Sequence, residues 1–366
     1  MKLLGDRIFV LLVAILVTGG LATFFSASLG LLAREEGSLT RIATSQLLLG
    51  LLPGLVALVA LRFTPSSTIA KATLPFYLFA LGLTALVFTG VGLELNGARR
   101  WLDLGFATVQ PGEILKLATI LMMGGYLAYA RKRLDTFKGG LLPFLLIVGA
   151  PVLILLAQPN TSTAIIISIT CAAMYFIAGA PWRDFGILLL IAIIGATGLV
   201  MTRPYLMDRV MTFFDPSANA LSSGFQIQQS LIAIGSGGLT GRGFGQSVEK
   251  FNYLPEAVND SVFAVFAEEF GFIGAIGLIL VFILFASRGF RIASEASSSA
   301  GAFIVTGITL MIVLSAFLNI GAMLAVLPLT GLPLPFVSHG GTALFVALSS
   351  VGIILNIAAT RKKKVT

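Results

Sequence analysis

Ser261–Ser287 reads SVFAVFAEEFGFIGAIGLILVFILFAS, 27 residues in which the charges are the adjacent carboxylates of Glu268 and Glu269. A helix rises about 1.5 Å per residue, so a run of this length crosses a hydrocarbon layer about 30 Å thick. Outward from it the pattern repeats. Apolar runs fall near Ile8–Leu32, Ser45–Leu61, Ala72–Leu93, Pro111–Ala130, Gly140–Ala157, Ser162–Gly179, Phe185–Met201, Ala300–Leu329 and Gly341–Thr360. The chain has 366 residues, of which 57% are hydrophobic and 11% charged, with a mean hydropathy of +0.99. A soluble domain carries roughly 25% charged residues, so this chain cannot cover itself with a wetted surface. In hydrocarbon an open strand leaves backbone groups unsatisfied, which forces the spans to be helices. The expectation is an all-α polytopic membrane protein of about ten transmembrane helices, one domain over residues 1–366, with a long loop at about 202–260 between helices 7 and 8. The first run is too long for a signal-peptide core and lacks a cleavage site, so it counts as a span.

The formal net charge is +8, but the basic residues punctuate apolar runs instead of forming one patch, which argues against nucleic acid. Counting Lys and Arg on alternate sides gives 15 on the side holding both termini and 8 on the other. The positive-inside rule then places both termini in the cytoplasm, with the clusters Arg131–Lys138 and Arg361–Lys364 deciding it. The single cysteine, Cys171, lies in an apolar run and excludes a disulfide framework or a thiolate metal site.

Charges inside hydrocarbon are costly and call for partners. Glu113 and Lys116 open the fourth run three residues apart, on one helical face, and are expected to pair. Glu268 and Glu269 need a polar cavity, and either is a candidate to meet Lys116. Arg99 and Arg100, beside Trp101, stand on the outer side against the charge bias, and guanidinium forks there suit a phosphate-bearing lipid. Asp260 sits where a helix leaves water, readable as an N-cap or as a general base. RPYLMDRVMTFF (203–214) reads as an interfacial amphipathic helix. GSGGLTGRGFG (235–245) has six glycines in eleven residues and must be irregular, closely approached backbone. Residues 327–341, uncharged and proline-rich, read as a re-entrant segment, as does the short Gln158–Thr163. His339, the one histidine, cannot build a metal site alone and is read as structural. No Walker-type loop, dinucleotide fingerprint or HExxH is present.

The stretches NGARRWLDLG (96–105), QPGEILKL (110–117), GFQIQQSLIAIGSGGLTGRGFGQSVEKFNYLPE (224–256), DSVFAVFAEEFGFIG (260–274) and NIGAMLAVLPLTGLPLPFVSHGG (319–341) resemble the SEDS family of shape, elongation, division and sporulation proteins, which includes FtsW, RodA and SpoVE. The resemblance runs from the third span to the tenth. It implies a peptidoglycan glycosyltransferase polymerising lipid II on the outer leaflet of a bacterial cytoplasmic membrane, with a class B penicillin-binding protein as partner. Asp260 matches the family's essential loop aspartate, Glu113 and Lys116 its fourth-span polar pair, and Arg99 its basic loop motif. Three positions depart from the family's wording. Val258-Asn259 replaces His-Thr, Asn160 stands where the Pro-Asp-Leu-Gly-Thr motif has its acid, and His339 replaces a tyrosine. The LPEA…FAVFAEEFGFIG wording stands nearer the division member and LPLTGLPLPF nearer the elongation member, with the balance toward FtsW.

Glycan transfer needs a base for the acceptor hydroxyl, for which Asp260 is the candidate. It also needs groups that neutralise the departing diphosphate, here Arg99, Arg100 and Arg242, with Glu256 a further substrate-binding candidate. A divalent cation, Mg or Mn, is a candidate to share that work, although no dedicated cage of ligands is visible. Glu113, Lys116, Glu268 and Glu269 would hold the helices around the cavity. A transporter or flippase of lipid-linked precursor is the rival from another class, and a non-enzymatic scaffold for a synthase is the third reading.

Overall fold

The computed structural model describes residues 6–33, 43–95, 98–105, 108–215 and 223–360. Lys2, Arg34, Arg41, Arg361, Lys362, Lys363 and Lys364, which weigh in the charge count, and Asn96 lie outside them. Three helices come first: α1 (Arg7–Ala33), α2 (a π-wound start, Ser45–Leu51, running into Leu52–Phe63) and α3 (Ser66–Ala85). A small antiparallel sheet comes next, in the order β1 (Gly92–Leu95), β2 (Ala98–Asp103) and β3 (Thr108–Val109). The expected third span therefore stops short of Leu93: the helix closes in a 3-10 turn at Leu86–Phe88 and the chain becomes a strand.

Ten helices complete the chain. They are α4 (Pro111–Ala130), α5 (Leu141–Ala157), α6 (Thr161–Ile177), α7 (Trp182–Thr202), α8 (Pro204–Phe214), α9 (Ser223–Ser236), α10 (Glu249–Asn252), α11 (Val262–Ser294), α12 (Ser299–Met323) and α13 (Gly341–Ala359). Among the described residues, eight helices are long and apolar enough to cross a membrane, and α5 and α6, at 17 residues each, are shorter. Each of the ten expected runs contains a helix, and the ninth, like the third, leaves it early, at Met323. The 202–260 loop is itself structured, with α8, α9 and α10 inside it.

The centre of the bundle is α4, α12 and α13, whose most apolar stretches are mostly buried, whereas no residue in that of α7 is buried. Among the described residues, the principal packing partner of α7 is α8. Cys171 on α6 is buried and free.

Between α12 and α13 the chain is not helical, yet Leu329, Leu332, Leu334, Phe336, Val337 and Ser338 are buried. Buried irregular backbone must find partners, and two buried amides supply them. Asn319 donates to the Leu332 carbonyl at 2.7 Å, while Gln46 donates to the Ser338 carbonyl at 3.3 Å and accepts from the Gly340 amide at 3.0 Å. Gln158–Thr163 is not a second such segment. It is a tight turn, and α6 begins at Thr161.

Candidate active site

Asp260 precedes α11 and is partly buried at the end of the bundle that carries the sheet and α8. Its Oδ1 accepts from Gln226 Nε2 at 3.1 Å, and its main-chain carbonyl accepts from Asn319 Nδ2 at 2.7 Å. Gln226 comes from α9 and Asn319 from α12, so two helices besides α11 fix this residue, one at its carboxylate and one at its main chain. Burial pushes the Asp260 carboxyl up to about 6, and the Glu256 charge adds to that. The Gln226 hydrogen bond and the Arg209 guanidinium pull the other way.

Arg209 reaches this point from α8. A Cβ placed on Gly331, which stands between the two groups, would lie 3.5 Å from Arg209 Nη2 and 3.9 Å from Asp260 Oδ2. Gly331 has φ 64°, so a side chain there would also strain the backbone. Arg209 Nη1 donates to the Thr330 carbonyl at 3.3 Å, and its Cζ lies 6.0 Å from the Tyr205 ring centroid. Tyr205 in turn shares a 2.7 Å hydrogen bond with Thr161 at the start of α6, and Ser162 donates to the Thr330 carbonyl.

The second guanidinium here is Arg100 of β2, which donates to the Pro159 carbonyl. Burial, together with the Arg209 charge, pulls it below its ordinary value. Its Nε is buried and unpartnered, as is Nδ2 of Asn160, which follows Pro159. Arg209 faces the hydrogen-bonded Asp260 carboxylate, and Arg100, close enough to feel the Arg209 charge, keeps one buried donor unspent, an arrangement that suits a multiply charged anion. Among the described residues no three His, Cys, Asp or Glu side chains converge as a metal cage.

The other expected site residues lie elsewhere. Arg99 pairs with Glu94 across β1 and β2 at 3.0 Å, on the exposed sheet surface. Arg242 pairs with Glu268 at 3.3 Å. Glu256 is exposed, accepts from Asn259 and acts on Asp260 through its charge. Glu113 and Lys116 do pair, at 2.8 Å with both side chains 6% exposed, and they line a small cavity with Ser315, Leu332 and Pro333. Neither Glu268 nor Glu269 is their partner: Glu269 meets Lys250 at 2.7 Å instead. The charge pair lies behind the site, since Leu332 both lines its cavity and accepts from the Asn319 that holds Asp260. His339 stacks on Phe24 and donates its main-chain amide to Val258.

Sequence reasoning missed Arg209, Gln226 and Asn319. Arg209 had a readable signal: with Leu206 and Phe213 it occupies the inward face of an amphipathic helix at three- and four-residue spacing. Gln226 and Asn319 had none beyond polarity within apolar surroundings.

A sequence model described as a cell cycle protein family, FtsW/RodA/SpoVE, matches residues 6–363. Stage V sporulation protein E of Bacillus subtilis is 41% identical over 276 residues, 75% of each chain. The probable peptidoglycan glycosyltransferase FtsW of Saccharophagus degradans is 38% identical over 359 residues, 94% of this chain and 90% of the relative. Among solved structures, a chain of a peptidoglycan synthase complex that coordinates polymerization and crosslinking superposes with a TM-score of 0.80 at 28% identity, covering 98% of this chain and 99% of that one. The rod shape determining protein RodA of Thermus thermophilus superposes at 0.69 with 27% identity, covering 98% of each.

Proposed function

The chain belongs to the FtsW/RodA/SpoVE family, and from that membership we propose that it is a peptidoglycan glycosyltransferase extending glycan strands from lipid II, with Asp260 as its base. The observation that carries the assignment is the Asp260 carboxylate itself. It is held by Gln226, faces Arg209 over Gly331, and has a pKa near 6. A carboxylate of that basicity takes a proton from a hydroxyl in a transition state better than an ordinary surface aspartate does.

In the step we assign, Asp260 accepts the proton of the acceptor sugar's hydroxyl. The hydroxyl oxygen forms the new bond to the donor's anomeric carbon, and the bond from that carbon to the lipid diphosphate breaks. The diphosphate leaves with the electron pair, and Arg100 and Arg209 are placed to take up its charge. Arg99 and Arg242, already paired with carboxylates, are dropped from that role. The groups around Asp260 are mostly hydrogen-bond donors and do not make a cage for Mg or Mn; such a cation, if bound with the substrate, would add positive charge to that of Arg100 and Arg209.

The likeness to a synthase complex that couples polymerization to crosslinking supports a partner supplying the latter, and a class B penicillin-binding protein is the transpeptidase we assign. We place the protein in the bacterial cytoplasmic membrane with both termini inside and the Asp260 end outward, a reading supported by the charge count. The relatives at high coverage are named FtsW, which supports a role in division. A precursor transporter is not favoured. Purified protein with lipid II in detergent, where no leaflets exist to cross, tests the proposal: glycan chains form with wild type and fall by about a hundredfold or more with Asp260→Ala. Wild-type rates from a folded Asp260→Ala protein would end the base assignment.

A further inference from the structure

Eleven residues beyond Asp260, α11 is broken. Gly271 has φ 66° and ψ −168°, so the backbone groups on either side lose their helical partners. The glycine-rich segment 237–243 supplies new ones. The amides of Arg242 and Gly243 donate to the carbonyls of Glu268 and Glu269, both at 3.0 Å, and the amides of Phe272 and Ile273 donate to Gly238 and Leu239 at 2.9 and 3.1 Å. The approach is so close that a Cβ on Gly241 would lie 2.1 Å from the Glu269 carbonyl oxygen.

The side chains of the same two glutamates hold residues 247–250, just beyond the glycines. Glu268 accepts from Ser247 Oγ at 2.6 Å and from the Val248 amide at 3.0 Å. Glu269 accepts from Lys250 Nζ at 2.7 Å, and both side chains are fully buried. The other two protons of that ammonium go to Ser26 Oγ on α1 and the Gly245 carbonyl, each at 2.8 Å. All three donors of the lysine are therefore used.

A buried ion pair is a weak device for stability, because apolar side chains of the same size avoid its desolvation. Its value here lies in what it encloses. The pair joins residues 19 apart in sequence, and Asp260 lies close to the midpoint. Within that segment the chain is hydrogen-bonded onward: the Leu254 amide to Glu249, the Ser261 amide to Glu256, and the His339 amide to the Val258 carbonyl. Fixing both ends of a short, internally bonded segment fixes its apex.

We propose that Lys250, through Glu269 and Ser26, is a positioning residue that clamps the two ends of the Asp260 segment and thereby sets the carboxylate's distance from the acceptor hydroxyl. It touches no substrate, and the proposal rests on Asp260 being the base.

The test uses full-length protein in detergent with lipid II. In K250M/E269L the pair is replaced by apolar side chains, so that no lone charge is buried. The expected result is a folded protein whose kcat falls about tenfold or more while KM stays within about twofold, the signature of lost transition-state geometry. The acid limb of its rate, set by Asp260 together with Glu256, Arg209 and Gln226 that face it, moves to lower pH as water reaches the carboxylate. Amide hydrogen exchange speeds up across 253–261 and stays unchanged in α13. A folded K250M/E269L with wild-type kcat and wild-type exchange at 253–261 overturns the proposal. If that double variant does not fold, S26A decides: it removes one of the ammonium's three acceptors and the hydroxyl that donates to Glu269, while leaving the ion pair itself in place. Faster exchange at 253–261 with lowered kcat supports the clamp, and unchanged values overturn it. Failure of the base assignment reads differently, as an active Asp260→Ala protein, while the exchange data still report on the clamp.

Discussion

The Asp260 carboxyl carries a cost along with the base role proposed for it. Its value is raised from 3.8 to about 6, so the folded state binds the proton more readily than the unfolded one. Ionising it therefore disfavours folding: the penalty is absent below about pH 4, grows between 4 and 6, and is fully present above 6. Allowing for its partial exposure, the penalty is on the order of 2 kcal/mol. Asp260→Asn is expected to raise the melting temperature at pH 7.5 and to leave it unchanged at pH 4, while abolishing polymerisation at pH 7.5. The wild-type rate is expected to fall on acidification with a midpoint near pH 6, read from initial rates across pH. Arg209→Met and Arg100→Met are each expected to lower kcat by about a hundredfold, the usual loss for one donor to a developing anion. Arg99→Met is expected to stay near wild type, because that guanidinium is spent on Glu94 at the sheet surface. The contrast shows what sequence can tell about single residues. Asp260 was readable because a carboxylate at the wet end of an apolar helix is unusual wherever it occurs. Which arginines stand there was only partly readable: Arg100 was among the candidates and Arg209 carried inward helical spacing, but a basic residue near the site looks the same whether its guanidinium faces an empty cleft or a carboxylate one strand away.

Elements tell a similar story with different causes. Apolar runs mark helices because hydrocarbon allows little else, and the re-entrant segment was legible because an uncharged, proline-rich stretch can be neither span nor open loop. The sheet was overlooked, although Asn96-Gly97 between two short alternating stretches is a hairpin signal. The break in α11 left no trace in hydropathy, since Gly271 interrupts the backbone without interrupting the apolar run. Two variants test how the elements are held. Asn319→Leu leaves the carbonyls of Asp260 and Leu332 without their donor and is expected to cost about 2–4 kcal/mol, from one to two buried orphan groups. Lys116→Met strands Glu113 in the core and is expected to cost about 3–5 kcal/mol, largely recovered in Glu113→Leu/Lys116→Met. Thermal unfolding in detergent measures both; a single Lys116→Met as stable as wild type would show that the pair is not closed in the folded protein.

At the scale of the whole molecule, the membrane is the organising solvent, and the site arises where it ends. Helices α4, α12 and α13 form a packed centre, and Asp260, Arg209, Arg100 and the re-entrant segment gather at one end of it. A hydropathy profile can count spans but not say which are central, because lipid and protein interior are equally apolar. That is why α7, more apolar than most spans, could not be told in advance from its neighbours, although its apolar stretch is wholly unburied. Its isolation has a consequence for how sequence can drift. A helix whose surroundings are acyl chains has no neighbour to fit, so exchanges among Leu, Ile and Val in α7 should pass unnoticed in a saturation mutagenesis screen for growth. The same exchanges in α13 should be penalised. What α7 cannot change is its reach, since it must still deliver Arg203 and the adjoining α8 to the end where Asp260 waits: a stretch nearly free in spelling, held strictly to its number of letters.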